Sequence, residues 1–209
     1  FFIPIAKADA ITWVGSPSGG FWDNPANWSG GTVPTELDNV TIGGDDMFIT
    51  ATSTINFASL TLAGPDVRFS LAGGIGVGGD LTISDSLFIQ ATSTRQTISG
   101  TLTIDDGVMQ HLQNTSTTEY KLDFVAENIV IEPGGHVRAN NEGSPGGEIG
   151  EDGSGYGGGD ADTNGPVGAG ASNAGMGGFS SSGNFGGFPS CTFGFAGELG
   201  PIHGGSGGG

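Results

Sequence analysis

Residues 81–104 read LTISDSLFIQATSTRQTISGTLTI. The triplets at the two ends of this stretch, Leu81-Thr82-Ile83 and Leu102-Thr103-Ile104, each place a threonine between two apolar residues. A β-strand points successive side chains to opposite faces, so each triplet buries two apolar residues and turns its threonine outward. The repetition of one triplet predicts short strands that stack on one another in parallel.

The same triplet recurs on both sides of this stretch. Val40-Thr41-Ile42 and Leu60-Thr61-Leu62 precede it and Ile129-Val130-Ile131 follows it, so that successive triplets are 20, 21, 21 and 27 residues apart. Two further sets of apolar segments keep nearly the same period, with a turn between the first and second sets. The second set is Met47-Phe48-Ile49, Val67-Arg68-Phe69, Leu87-Phe88-Ile89, Val108-Met109 and Val137-Arg138-Ala139, and the third is Ile55-x-Phe57, Ile75-x-Val77 and Ile98.

This pattern predicts an all-β fold, a parallel β-solenoid of about five coils with roughly 21 residues each. Parallel crossover connections favour a right-handed path, that of a right-handed β-helix. A β-sandwich is the alternative, because its strands also recur every 8 to 12 residues or so. The solenoid is favoured because a sandwich does not repeat one triplet and one turn at a fixed longer period.

Composition divides the chain into four segments. Residues 1–10 are apolar and end in Ala8-x-Ala10, which is typical of a secretory signal, with an N-terminal strand as the alternative. Residues 11–39 hold all three tryptophans, residues 40–142 form the predicted solenoid, and residues 143–209 contain 26 of the 43 glycines. Glycines three residues apart in this last segment predict an extended, polyproline-II-like extension, with a flexible linker as the alternative.

The charge balance excludes one class of partner. There are 22 acidic and 5 basic residues, giving a net charge of −17. Phosphate backbones require clustered Lys and Arg, so we do not expect nucleic-acid binding. Apolar runs are too short for a membrane-spanning helix, which needs about 18 residues or more.

The tryptophans have two interpretations. Trp13, Trp22 and Trp28 all precede the first repeat. The open end of a solenoid must be covered, and large rings at this place predict an aromatic cap. The alternative is a glycan-binding platform, on which sugar rings would stack.

Acidic residues recur at one turn of the predicted coils and form a candidate calcium site. They are Asp45, Asp46, Asp66, Asp85, Asp105 and Asp106. Stacked carboxylates repel one another unless a hard cation such as Ca²⁺ bridges them. The favoured alternative is that Asp serves these turns through its own hydrogen bonding. Paired acids would also suit a polysaccharide-degrading β-helix enzyme, but the coils hold few Arg or Lys, and we predict no catalytic site and no cofactor other than Ca²⁺.

The tryptophan-containing segment 11–39 and the first triplet, together called the lead-in, contain motifs that resemble those of a known family. It contains Trp13-x-Gly15, Gly20-Phe21-Trp22-Asp23, Asn27-Trp28, Gly31-x-Val33-Pro34 and Asp38-x-Val40-x-Ile42. This segment resembles the opening of bacterial secreted parallel β-helix proteins, including autotransporter-type passengers, and the Gly-rich segment resembles the extensions that follow their coils. The resemblance implies an exported protein with a surface or matrix role, and it supplies no catalytic residues.

These observations together predict a secreted structural protein. We expect a subunit of a filament, surface layer or matrix that assembles with copies of itself through non-covalent contacts. The apolar residues Phe1, Phe2, Ile3 and Ile5 are the candidate assembly segment, since an extended strand can add to an exposed sheet edge. The alternative function is an adhesin or glycan-binding module that uses the tryptophans on an extracellular polysaccharide.

Overall fold

The computed structural model describes residues 8–16 and 18–139 together with the strand Ile202–His203. All regular structure in these residues is β-strand apart from one 3-10 turn, Pro25–Asn27. The strands are β1 Ala10–Thr12, β2 Gly20–Phe21, β3 Asn39–Gly43, β4 Phe48–Ala51, β5 Ile55–Phe57, β6 Ser59–Leu71, β7 Ile75–Val77, β8 Leu81–Gln90, β9 Gln96–Asp105, β10 Val108–His111, β11 Lys121–Leu122, β12 Phe124–Ile131, β13 His136–Val137 and β14 Ile202–His203. The predicted Gly-rich extension and most of the apolar N-terminus lie outside the described residues.

The chain forms two compact units. The described residues of the larger unit are in 8–110 and 123–138, and those of the smaller unit are in 111–122, 139 and 202–203. In the smaller unit, β11 and β14 pair antiparallel, Lys121 with His203 and Leu122 with Ile202. The larger unit is built on one curled sheet, and the described strands that pair within it do so in parallel.

The triplets form the first row of this sheet. Row one contains β1, β3 and the triplet segments of β6, β8, β9 and β12. Its register aligns the first residues of the triplets, Val40 with Leu60, Leu60 with Leu81, Leu81 with Leu102 and Leu102 with Ile129. The 20- and 21-residue spacing is therefore the distance between hydrogen-bonded neighbours, and the prediction of parallel stacking is confirmed.

Two further rows of strands make up the rest of the curled sheet. Row two contains β2, β4, the second halves of β6 and β8, and the pair β10–β13. Row three contains β5, β7 and the first halves of β9 and β12. The third, weaker set of apolar segments in the sequence corresponds to this row.

Aligned apolar side chains form the core beneath these rows. In row one, Ile42, Leu62, Ile83 and Ile104 are aligned in successive strands and fully buried. An aromatic column runs through row two, with ring centroids 5.8 Å apart between Trp22 and Phe69 and 5.5 Å between Phe69 and Phe88. These separations suit attractive ring contacts. Each strand thus stabilises its neighbour, and a three-residue strand is stable only within the stack.

The outward threonines also match the prediction. Thr12, Thr41, Thr61, Thr82 and Thr103 are aligned across five strands of row one on the outer face. Thr41 is exposed and Thr61 is half-buried. Cross-strand threonine pairs suit such a position, since both their branching and their hydroxyl groups are accommodated there.

The alignment of the second set was wrong by one residue at two places. At the pair β10–β13, Val137 lies opposite Met109 and not opposite Val108. The other place is β8. The sequence aligns Leu87 with Val67, but Leu87 pairs with Arg68, and Ser86 takes the buried place opposite Val67. The cause is turn length. Three residues of β6, Gly64 to Asp66, separate the paired segments, whereas Asp85 alone does so in β8. The two turns differ by two residues, whereas the spacing in the sequence implies a difference of one, and an alignment error of one residue exchanges the two faces of the strand.

The lead-in is more than a cap. Its strands β1 and β2 join the same parallel sheet, with Ile11 paired to Val40 and Gly20 to Ile49. Residues 11–39 therefore belong to rows one and two as well as covering their end.

Candidate functional sites

The aspartates of the repeated turn adopt an unusual backbone conformation. Asp46, Asp66, Asp85 and Asp106 have φ values of 52°, 62°, 47° and 50°, and Gly134 has a φ of 85° at the corresponding turn before β13. This left-handed region disfavours most L-residues, and Asp and Asn are among those that tolerate it best. The turn geometry by itself thus accounts for the recurring aspartates.

Three of these aspartates line one groove. Asp66, Asp85 and Asp106 lie beside Arg68 and Arg138 around a cavity of about 230 Å³. The groove contains negatively charged aspartates and positively charged arginines. Arg138 Nε donates a hydrogen bond of 3.1 Å to Gln110 Oε1. Within the described residues, no group of three or more His, Cys, Asp or Glu side chains has a geometry that could hold a metal ion. Calcium binding at these turns stays a prediction.

The three tryptophans form a buried cluster at the start of the sheet. Trp22 and Trp28 have 1% of their surface exposed and Trp13 has 6%. Ring centroids are 5.0 Å apart between Trp13 and Trp28 and 4.6 Å apart between Trp22 and Trp28, and Trp28 Nε1 donates a 2.7 Å hydrogen bond to the Trp22 carbonyl. The packing is that of a cap. Stacking of a sugar needs an exposed ring face, which these three side chains lack.

The cap also closes the outer edge of β1. Ser29 N–H donates to the Thr12 carbonyl at 2.9 Å, and Thr12 N–H donates to Ser29 Oγ at 2.9 Å. Trp13 and Trp28 form an antiparallel bridge next to these bonds. An unpaired edge attracts other strands, so these contacts protect the N-terminal end of the sheet.

A buried carboxylate fixes the loop before β3. Asp38 accepts hydrogen bonds from Thr35 N–H and Thr35 Oγ1, both at 2.8 Å, and from Asp9 N–H at 3.2 Å. Burial raises the pKa of the Asp38 carboxyl, but the hydrogen bonds from Thr35 and Asp9 lower it by more, so that the net pKa lies below the usual value for Asp. The ionised carboxylate therefore holds the loop that contains Glu36 and Leu37.

Two buried glutamines fix the corner between β8 and β9. Gln90 Nε2 donates to the Thr94 carbonyl at 2.8 Å, and Gln96 Oε1 accepts from Ile75 N–H at 2.6 Å. Asp123 lies at the same corner, where its N–H donates to Gln90 Oε1 and its carboxylate pairs with Arg95 at 2.9 Å. These groups satisfy backbone atoms that would otherwise be buried without a partner.

A second groove crosses the outer surface of row three. Its volume is about 360 Å³, and Gly76 lies at its centre between Asn56 and Thr97, which are aligned with it on the neighbouring strands. Glu36 and Leu37 contribute to one part of the lining and Ser99 to another. Sequence reasoning missed this groove. The available signal was Gly76 between the buried Ile75 and Val77, because a glycine at an outward strand position often marks a place where another group approaches the backbone closely.

The candidate assembly residues Phe1, Phe2, Ile3 and Ile5 lie outside the described residues. Comparison of the chain with protein-family models, with curated proteins and with solved structures finds no match. The resemblance to autotransporter-type passengers therefore stays a prediction. Among the described residues, no helix has the length and hydrophobicity to cross a membrane.

Proposed function

We propose that this chain is a structural protein of the bacterial cell surface or extracellular matrix, in which stacked coils form a parallel β-solenoid and copies join into a filament, layer or matrix. The register of row one carries the proposal, because six strands from β1 to β12 are aligned in order. A rod built from repeated coils is extended by repetition, which suits a structural role.

The three rows support the closing of the strands into coils. Along the chain, β3, β4 and β5 belong to rows one, two and three, and β6 returns to row one. The same order recurs through β6, β7 and β8. A chain that visits three rows in turn and then stacks on its own earlier strands follows a solenoid path.

Among the described strands, the β1 end of the sheet is covered and the β12 end has an unpaired edge, which supports assembly at the β12 end. Among the described strands, β12 pairs with β9 alone, so its other edge is open. Ile129 and Ile131 occupy aligned positions that are buried in the preceding strands, yet here they are 54% and 52% exposed. Because the tryptophan cap closes the β1 end, the β12 end is the proposed assembly surface, and the apolar residues 1–5 of the next copy are its proposed partner strand.

Deletion of residues 1–7 tests this proposal. The deletion leaves β1 complete, so we expect folded protein with an unchanged circular dichroism spectrum. We expect electron microscopy to show filaments or sheets for the full chain and none for the deletion variant. Ile131→Lys should raise the concentration needed for assembly at least tenfold, since it would place a charge where the proposed assembly buries an apolar side chain.

Phe48→Lys is the matched control, because Phe48 is also an exposed apolar residue but lies in β4, away from the open edge. It should assemble normally. A full chain that remains monomeric at high concentration by light scattering would contradict the assembly proposal, and assembly that survives the deletion would contradict the partner strand alone.

A further inference from the structure

We propose that the groove across row three binds a neutral oligosaccharide. The groove residues differ from the buried tryptophans, and the inference does not depend on self-assembly. Four hydrogen-bonding side chains line the groove: Glu36, Asn56, Thr97 and Ser99. All four are exposed, and within the described part of the chain none of these side chains donates or accepts a hydrogen bond. They are free to bind a ligand.

The chemistry of the lining specifies the kind of ligand. Asn56 offers both a donor and an acceptor, the hydroxyl groups of Thr97 and Ser99 do the same, and Glu36 accepts. A ligand that matches this set carries many hydroxyl groups. Leu37, which is 41% exposed, adds an apolar contact of the kind that the C–H face of a sugar ring can use. The volume falls in the range of about 300–1,000 Å³ that small-molecule sites occupy.

Charge selects a neutral ligand over an acidic one. Among the residues that the structure describes, Glu36 is the one charged side chain of the lining, and no Lys or Arg lines the groove. The chain as a whole has a net charge of −17. A uronic acid or sulfated sugar would meet a carboxylate with no cation to balance it, which disfavours binding.

The groove is built on a rigid base. Gly76 makes room for the Asn56 side chain in the lining, because a Cβ at Gly76 would collide with Asn56 Oδ1. Asn56, Gly76 and Thr97 belong to three paired strands, and the Asp38 hydrogen bonds hold the loop that carries Glu36 and Leu37. A groove that is formed before binding loses little conformational entropy when the ligand enters.

Titration of the full chain with neutral oligosaccharides, and with uronate oligosaccharides of the same length, tests the inference on an array and by calorimetry. We expect saturable binding of at least one neutral class and at least tenfold weaker binding of the uronates. Gly76→Val would displace the Asn56 side chain from its place in the lining and should weaken binding tenfold or more.

A matched pair of variants separates binding from folding. Thr97→Val removes a hydroxyl from the groove and should weaken binding about threefold to tenfold, the usual effect of losing one hydrogen bond. Thr82→Val makes the same change on the outer face of row one and should bind as the wild type does. Binding of no neutral oligosaccharide, a preference for uronates, or equal affinity in Thr97→Val and Thr82→Val would overturn the inference. If Gly76→Val fails to fold, the threonine pair decides.

Discussion

The recurring aspartate turns show how one residue type serves a backbone conformation. The φ value of Asp85 is 47°, in the left-handed region. Most L-residues lose about 1–2 kcal/mol there, whereas glycine enters without a steric cost and Asp is partly compensated by local hydrogen bonds. Gly134 takes the corresponding place in the turn before β13, which indicates that backbone conformation, more than charge, is required.

We therefore predict that Asp85→Gly leaves the free energy of unfolding within about 0.5 kcal/mol of wild type, whereas Asp85→Ala lowers it by about 1 kcal/mol. Urea denaturation measures both. Asp45→Ala is the control, because Asp45 is an exposed acid of the same turn region whose φ is not left-handed. If millimolar calcium raised the melting temperature of the wild type and not that of Asp85→Gly, the calcium interpretation would replace this one.

Asp38 makes stability depend on pH. Hydrogen bonds from Thr35 and Asp9 outweigh the effect of burial and lower the pKa of its carboxyl in the folded state. The unfolded chain binds the proton more tightly, with a pKa of about 3.9. The stabilisation is therefore complete above about pH 5 and is lost as the pH falls through the folded-state pKa.

Asp38→Asn should lower the melting temperature near neutral pH, and the difference from wild type should shrink as the pH falls below about 4. Thermal unfolding monitored by circular dichroism between about pH 3 and 7 tests this expectation. Asp45→Asn provides the comparison, since the Asp45 side chain is exposed and makes no hydrogen bond within the described residues. A difference between Asp38→Asn and wild type that stays constant with pH would show that the carboxylate charge is not the cause.

At the scale of elements, row one could be predicted from the sequence because each triplet is self-contained. Two buried residues around an outward threonine specify both the strand and its facing, as Leu60, Thr61 and Leu62 do. Row two could be predicted only in part. The register of row two depends on the number of residues in the preceding turn. That number is one in β8, where Asp85 alone separates the paired segments, and three in β6.

Buried polar residues escaped prediction for a different reason. Glutamine is usually an exposed residue, yet Gln90 and Gln96 are fully buried at the corner between β8 and β9. Their amides hydrogen-bond to backbone groups of residues that are distant in sequence or belong to the turn itself, such as Ile75 and Thr94. A glutamine is favourable in the interior when such partners exist, and the sequence alone does not show which backbone groups a corner leaves unpaired.

The row-three groove also depends on elements that meet only in the folded chain. Asn56, Gly76 and Thr97 come from three strands, and Leu37 comes from the loop before β3. Asn56 and Thr97 are far apart along the chain, which gave no sign that their side chains line one surface. The glycan-binding hypothesis was placed on the tryptophans because a sequence shows where aromatic residues are but does not show whether they are buried.

At the scale of the whole larger unit, the two ends of the sheet have different protection. Trp13, Trp28 and Ser29 close the edge of β1, while the outer edge of β12 is unpaired among the described strands. In a stack where each strand contacts mainly its neighbours, each strand depends on the next for its stability, and stability is lowest at an open end. The strands in the middle have partners on both sides.

We predict that amide hydrogen exchange is slowest in β6 and β8 and fastest in β12, because opening of β12 breaks contacts with one neighbour only.

Trp28→Phe removes the hydrogen bond to Trp22 and part of the ring contact. This variant should speed exchange in β1 to β4 and leave β8 and β9 nearly unchanged, as nearest-neighbour coupling requires. Mass spectrometry of the exchanged peptides measures both gradients at a concentration below that of assembly. Equal acceleration in every strand would instead mean that the whole sheet opens as one cooperative unit.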